Sequence, residues 1–200
     1  MKNTIYRIAI SVGIILQTAF MASCSMDDVE LSRTVFIEDR TSPGLPVYSE
    51  WGYNTFGAYI DRVPFVSGEE EPAKIYVNSD TLHFFLKGIY RNSKTSFLFS
   101  IKGLSPAEYT ELTMLNDTVI NLKNIACKVE MNKNDTISVL NIIDGQIYFK
   151  RAQLLYVDKV ANKTILSGEF RFRTFFRNEP VAISNGRFDV GIGYENFYNF

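Results

Sequence analysis

From Tyr53 onward, short stretches in which apolar and polar residues alternate dominate the chain, and this period of two constrains the fold more than any other feature. In Gly168-Glu169-Phe170-Arg171-Phe172-Arg173 the alternation puts Phe170 and Phe172 on one face and Glu169, Arg171 and Arg173 on the other. The same reading predicts strands at Lys74–Asn78, Thr81–Ile89, Thr95–Lys102, Ala126–Met131, Thr136–Ile142, Gln146–Val157, Thr164–Phe176 and Val181–Tyr194. Turn residues separate them at Asn78-Ser79-Asp80, Asn132-Lys133-Asn134-Asp135, Asp144-Gly145 and Asn178-Glu179-Pro180. Strands this numerous, joined this tightly, predict an all-β fold: an antiparallel β-sandwich or partly closed barrel. One short helix is expected, because Ser105-Pro106-Ala107-Glu108 has the form of a capping box with proline at the first helical position. Tyr109, Leu112 and Leu115 then recur at helical spacing and would lay one face on the sheet or cover a barrel end.

The first residues follow a different logic. Lys2 and Arg7 precede an apolar run from Ile8 to Leu16, and Met21-Ala22-Ser23 leads into Cys24, which is the three-part pattern of an export signal. The run is interrupted by Gln17 and Thr18, whereas a spanning helix needs about 20 apolar residues, so an address is read here and not a transmembrane anchor. Ala22-Ser23-Cys24 resembles the lipobox of bacterial lipoproteins, which implies cleavage after Ser23 and acylation of the Cys24 thiol. Several acyl chains give stable attachment where one alone binds marginally. Ser25 is not acidic, and Asp27, Asp28 and Glu30 form a cluster that resembles the surface-export signal of Bacteroidetes lipoproteins; the same acids would also keep a tether solvated.

The chain is therefore divided into a signal peptide (1–23), an acidic flexible tether (24–33) and a single antiparallel β domain (34–200). Removing 1–23 takes away two cations and no acid, which moves the net charge from -1 to -3 and gives no reason to seek nucleic acid. Cys127 is left without an intramolecular partner and reads as a small buried hydrophobe beside Ile125 and Val129.

Asn54-Thr55-Phe56-Gly57, Ser167-Gly168-Glu169-Phe170 and Ile183-Ser184-Asn185-Gly186-Arg187-Phe188-Asp189 resemble the motifs of a family of small Bacteroidetes outer-membrane lipoproteins of unknown function. Those relatives continue the first motif with an Asn-Gly turn and a Trp, where this chain has Asp61-Arg62-Val63-Pro64-Phe65. The resemblance implies an address and a fold; it brings no chemistry.

Catalytic signatures are sparse. No nucleophile elbow, zinc-protease helix, phosphate loop or calcium loop occurs, and Gly191-Ile192-Gly193 lacks the third glycine and the helix of a dinucleotide site. His83 is the sole imidazole, so metal sites built on several histidines are excluded, and no metal or cofactor is expected. A carbohydrate-active enzyme would need a facing carboxylate pair drawn from Asp61, Glu169, Asp189 and Glu195. A non-catalytic binding or accessory subunit at the outer membrane, with a glycan or a protein as its surface partner, is the reading the chain favours, and Trp51 and Tyr53 are its candidate contact residues. The third alternative is a small outer-membrane barrel, because even positions from Phe188 to Phe200 are apolar except Asn196.

Asp80-Thr81-Leu82, Asp117-Thr118-Val119 and Asp135-Thr136-Ile137 repeat one triplet that resembles the O-glycosylation sequon of exported Bacteroidetes proteins. Thr81, Thr118 and Thr136 are thus candidate modification sites, and the same triplet also describes an Asp that ends a turn before a strand begins.

Overall fold

The computed structural model describes residues 33–68, 73–176 and 179–200, and within it Thr34–Phe200 form one compact unit. The expected signal peptide (1–23), Cys24, Asp27, Asp28 and Glu30 lie outside the described residues. The alternating segments become β1 (Thr55–Ile60), β2 (Val63–Ser67), β3 (Ala73–Asn78), β4 (Thr81–Tyr90), β5 (Ser93–Lys102), β6 (Thr118–Asn121) and β7 (Cys127–Lys133). The remainder are β8 (Thr136–Val139), β9 (Asn141–Val157), β10 (Val160–Phe176), β11 (Glu179–Gly193) and β12 (Phe197–Asn199).

Hydrogen-bonded neighbours run β6-β9-β10-β11-β1-β2-β4-β5-β7-β8, and the path does not close into a barrel. Pairing is antiparallel except where β12 lies parallel to β3. One edge of β4 is shared, with Thr81–Leu86 pairing to β3 and Gly88–Tyr90 pairing to β2, and this fork lets the sheet bend back on itself. The two halves then meet face to face as a sandwich. Phe84 of β4 meets Phe149 of β9 at 5.8 Å and Phe188 of β11 at 5.3 Å, and Phe97 of β5 meets Phe172 of β10 at 5.7 Å between ring centroids. Phe170 and Phe172 are buried while Glu169, Arg171 and Arg173 are exposed, as the alternation requires.

Several expectations are corrected. Asp144-Gly145 is not a turn: both lie inside β9, where Gly145 adopts a φ of 148° and a Cβ would stand 2.2 Å from that of Phe172. The expected strand 136–142 divides at buried Leu140, because β8 belongs to β7 in one half of the sandwich and β9 to β10 in the other. The helix is a 3-10 helix from Tyr109 to Leu115; Glu108 precedes it in an extended conformation, and it is Glu111 that reaches back to the Ala107 N–H at 2.7 Å. Its packing is as expected, with Leu112 and Leu115 buried and the Tyr109 hydroxyl donating to the Ala161 carbonyl at 2.9 Å. Ile125 does not share the face of Cys127, since β7 starts only at Cys127 and Ile125 stands fully exposed in the preceding turn. The apolar alternation of β11 faces the sandwich core through Phe188, Val190 and Ile192, not outward as in a membrane barrel, and it ends when the chain turns at exposed Tyr194.

Candidate functional site

The segment before β1 is a strap of irregular chain laid over the outer face of β11, β1 and β10. Two prolines and a glycine in Thr41–Pro46 keep it from forming a ladder, so side chains must hold it. Arg187 of β11 pairs with Asp39 and donates to the Ser42 hydroxyl at 3.1 Å and to the Pro46 carbonyl at 3.3 Å. Hydrogen bonds from the Thr41 hydroxyl and N–H, followed by the Arg187 guanidinium, hold Asp39 far below the usual carboxylate range. Further on, the Asp189 carboxylate is buried under the strap and accepts from five donors. Oδ1 takes the Gly52 N–H at 2.8 Å and the Ser167 hydroxyl at 2.9 Å. Oδ2 takes the Ser49 hydroxyl, the Trp51 N–H at 3.2 Å and the Tyr53 N–H at 3.1 Å. Asn54, at a φ of 53°, completes the attachment by accepting the Gly191 N–H at 2.9 Å.

Trp51 therefore projects from a loop whose backbone is fixed on both sides, and its side chain is 77% exposed. Tyr53 is half-buried and its carbonyl accepts the Val35 N–H. Neither is among the residues that line the two grooves described next, so both candidate contact residues lie on the strap outside them.

Beside the strap the outer face of β9, β10 and β11 is creased. Phe170 pairs with Gly186 and Phe172 with Ile183, so Ser184 and Asn185 together oppose Arg171 alone; Asn185 takes a φ of 51° and the strand bulges. Gly145 lies across from Phe172 on the other flank. The crease opens two grooves that meet at Gln146 and Arg171. One, of about 480 Å³, is walled by Tyr48 and Tyr148 over Glu169, Asn185 and Arg187. The other, of about 770 Å³, runs past Asn121, Lys123, Asp144, Arg173 and Ser184. Lys150 ties the Tyr48 wall to the floor, 2.5 Å from Glu169 and 4.8 Å above the Tyr48 ring. Tyr48 donates to Glu50 at 2.9 Å and Tyr148 to Asp117 at 2.5 Å. Burial first and the Glu50 carboxylate second push the Tyr48 phenol upward, while the Asp117 hydrogen bond raises that of Tyr148, so both walls present protonated hydroxyls at neutral pH. Sequence reasoning reached Glu169 in this groove but missed Tyr48, Gln146, Tyr148, Arg171, Asn185 and Arg187 as its lining.

The four candidate acids have separate employments. Asp189 is saturated by the strap; Asp61 sits in the β1–β2 turn and accepts the Ala182 N–H at 2.9 Å. Glu195 pairs with Lys163 at 2.5 Å, and the hydrogen bond and charge of Lys163 lower its carboxyl despite the opposing effect of burial, the largest single influence. Glu169 alone faces a groove. His83 stacks on Tyr76 and shares a 2.8 Å hydrogen bond with Ser100 on the outer face, whereas Cys127, opposite Ile101, packs toward the core. Burial raises the Cys127 thiol and lowers His83, which suits an inert thiol and a neutral imidazole. No group of three or more potential metal ligands occurs among the described residues. Thr81, Thr118 and Thr136 are each the first residue of a strand, β4, β6 and β8, following a turn. No helix among the described residues is long and apolar enough to cross a membrane. No family model, curated protein or solved structure matches the chain.

Proposed function

We propose that this chain is a lipid-anchored protein of the outer membrane, displayed at the cell surface, whose β domain is a non-catalytic binding or accessory module for a glycan. The observation that carries the glycan reading is the groove between Tyr48 and Tyr148. It joins two tyrosine side chains, of the kind on which sugar rings stack, to a floor of Glu169, Gln146, Asn185 and Arg171, whose donors and acceptors suit hydroxyl groups. The anchor rests on Cys24 behind its export signal, and the surface address on Asp27, Asp28 and Glu30. Thr81, Thr118 and Thr136 open strands at the surface, where an added glycan would remain in water.

Glycan-array binding lost on Tyr148→Ala, with the fold intact by circular dichroism, is the expected outcome. A profile unchanged by Tyr148→Ala and by Trp51→Ala with Tyr53→Ala would defeat the reading, and glycan turnover abolished by Glu169→Gln would make the protein an enzyme. Cys24→Ala should abolish lipid labelling and release the protein from membranes; retention would refute the anchor. Intact mass of host-purified protein, compared with the triple Thr→Ala variant, reads the glycosylation directly.

A further inference from the structure

The charges around the crease are unevenly distributed. The chain as a whole carries more acids than bases, yet the two grooves together are lined by four cations, Lys123, Arg171, Arg173 and Arg187, against two acids, Asp144 and Glu169. Most of these groups are already committed. Arg173 grips Asp144 through two nitrogens, with Nε at 3.0 Å from both oxygens, Arg187 is held by Asp39, and Glu169 is neutralised by Lys150. Arg171 is different. It stands where the grooves meet, it is exposed, and no carboxylate among the described residues forms a direct ion pair with it; its charge reaches Asp144 only through space, and that carboxylate is already gripped by Arg173. Lys123, farther along the second groove, likewise reaches Asp144 only through space, with no direct ion pair among the described residues.

The backbone around Arg171 is also unusual. On one side its partner Gln146 follows Gly145 with its φ of 148°, and on the other two residues of β11 bulge opposite it with Asn185 at 51°. At Gly186 a Cβ would lie 2.3 Å from the Phe170 carbonyl oxygen, so the bulge depends on glycine. Sparsely populated conformations on both neighbouring strands, at the level of one exposed arginine, are the kind of irregularity that re-aims side chains at ligand sites. A guanidinium held this way offers a planar fork of donors that matches a carboxylate in a bidentate pair.

We propose that the joined grooves bind an extended acidic oligosaccharide, with Arg171 pairing with the carboxylate of a uronate unit at the junction. The inference rests on the glycan reading above and narrows it from glycans in general to carboxylated chains. Tyr48 and Tyr148 hold the sugar on one side of that contact, and Lys123 supplies a second positive charge farther along the chain.

Isothermal titration with oligogalacturonate and with its methyl ester separates the charge from the polyol, since the ester keeps the chain and removes the anion. The acid form should bind about tenfold more tightly than the ester at low salt and lose that advantage as salt rises. Arg171→Gln should bring acid binding down to the ester level, Arg171→Lys should fall between, and Arg91→Gln on the β4–β5 turn should change neither. Equal affinity of the native protein for acid and ester, including no binding of either, overturns the proposal, as does a preference that survives Arg171→Gln. If acid and ester bind equally and both are lost on Tyr148→Ala, the charge assignment fails while the glycan reading stands; if no glycan on the array binds either, both fail.

Discussion

Asp189 shows how much of this molecule one side chain can organise. A buried carboxylate needs partners, and this one gathers three consecutive N–H groups of the strap and the hydroxyls of Ser49 and Ser167. Asp189→Ala strands those donors and should cost on the order of 3 kcal/mol in urea denaturation. Because Trp51 is the sole tryptophan, the same variant should show faster depolarisation of its emission in the native baseline; unchanged anisotropy would mean that the strap is held elsewhere. Asp39 predicts the response to acid. Its carboxyl is depressed in the folded state, so its contribution is complete above the unfolded value of about 3.9 and is lost as pH falls through the lower folded one. The groups facing it are Arg187 and the hydroxyl and N–H of Thr41, with Glu38 tied to the Gly44 N–H nearby. Trp51 emission should therefore begin to change below about pH 4, with a smaller further change in Asp39→Asn, which starts already loosened. Identical acid profiles would remove Asp39 from the latch. Neither role is legible in sequence, where Asp189 is one of four candidate acids and Asp39 is unremarked, since partners 136 to 148 positions away leave no local pattern.

At the level of strands, the sequence carries the buried faces and loses the corners. Phe170→Ala and Phe172→Ala should each cost about 3–5 kcal/mol, whereas Arg171→Ala should leave the denaturation midpoint almost unmoved. Equal losses on both faces would contradict the exposure of Arg171. Gly186→Ala should destabilise by on the order of 2 kcal/mol, because the added methyl meets a backbone carbonyl that cannot step aside; a neutral effect would show that the bulge can relax. Seven of the eight alternating segments were readable because one face of each is core, whereas β8, from the segment expected at Thr136–Ile142, buries none of its residues. The turns at Asp61-Arg62, Arg91-Asn92 and Asp158-Lys159 were not, because both central residues hold positive φ without glycine and an arginine or a lysine occupies one of them. β6 and β12 are too short to show a period, and Asp144-Gly145 carries turn chemistry that the long-range contact with Phe172 overrides. The groove escaped for a related reason: its lining is the polar half of three good strands, plus Tyr48 from the strap, and polar outward residues look the same whether they face water or a ligand.

For the whole molecule, the three motifs that stand out in the sequence converge in space. Asn54 holds Gly191, Ser167 and Asp189 share a hydrogen bond, and Arg187 grips the strap beside Gly57 of β1. The distinctive residues thus fasten the strap to the sheet, and Glu169, Asn185 and Arg187 of the same motifs also line the groove beside it. A chain ending at residue 186 lacks both Arg187 and Asp189, and its Trp51 emission should match that of the urea-unfolded protein; a native-like spectrum would show that the strap docks without them. The clamp also has a temporal consequence. Synthesis delivers a polypeptide from its first residue, so the strap emerges long before the acceptor that fixes it, and Ser49 waits 140 positions for Asp189. Until that residue arrives the N–H groups of Trp51, Gly52 and Tyr53 lack the carboxylate that gathers them, and the early segment has only nearby partners such as Tyr59, whose hydroxyl donates to the Pro43 carbonyl. Closure of the strap is therefore a late event, which fixes the start of the domain only once a residue 140 positions further on has been made.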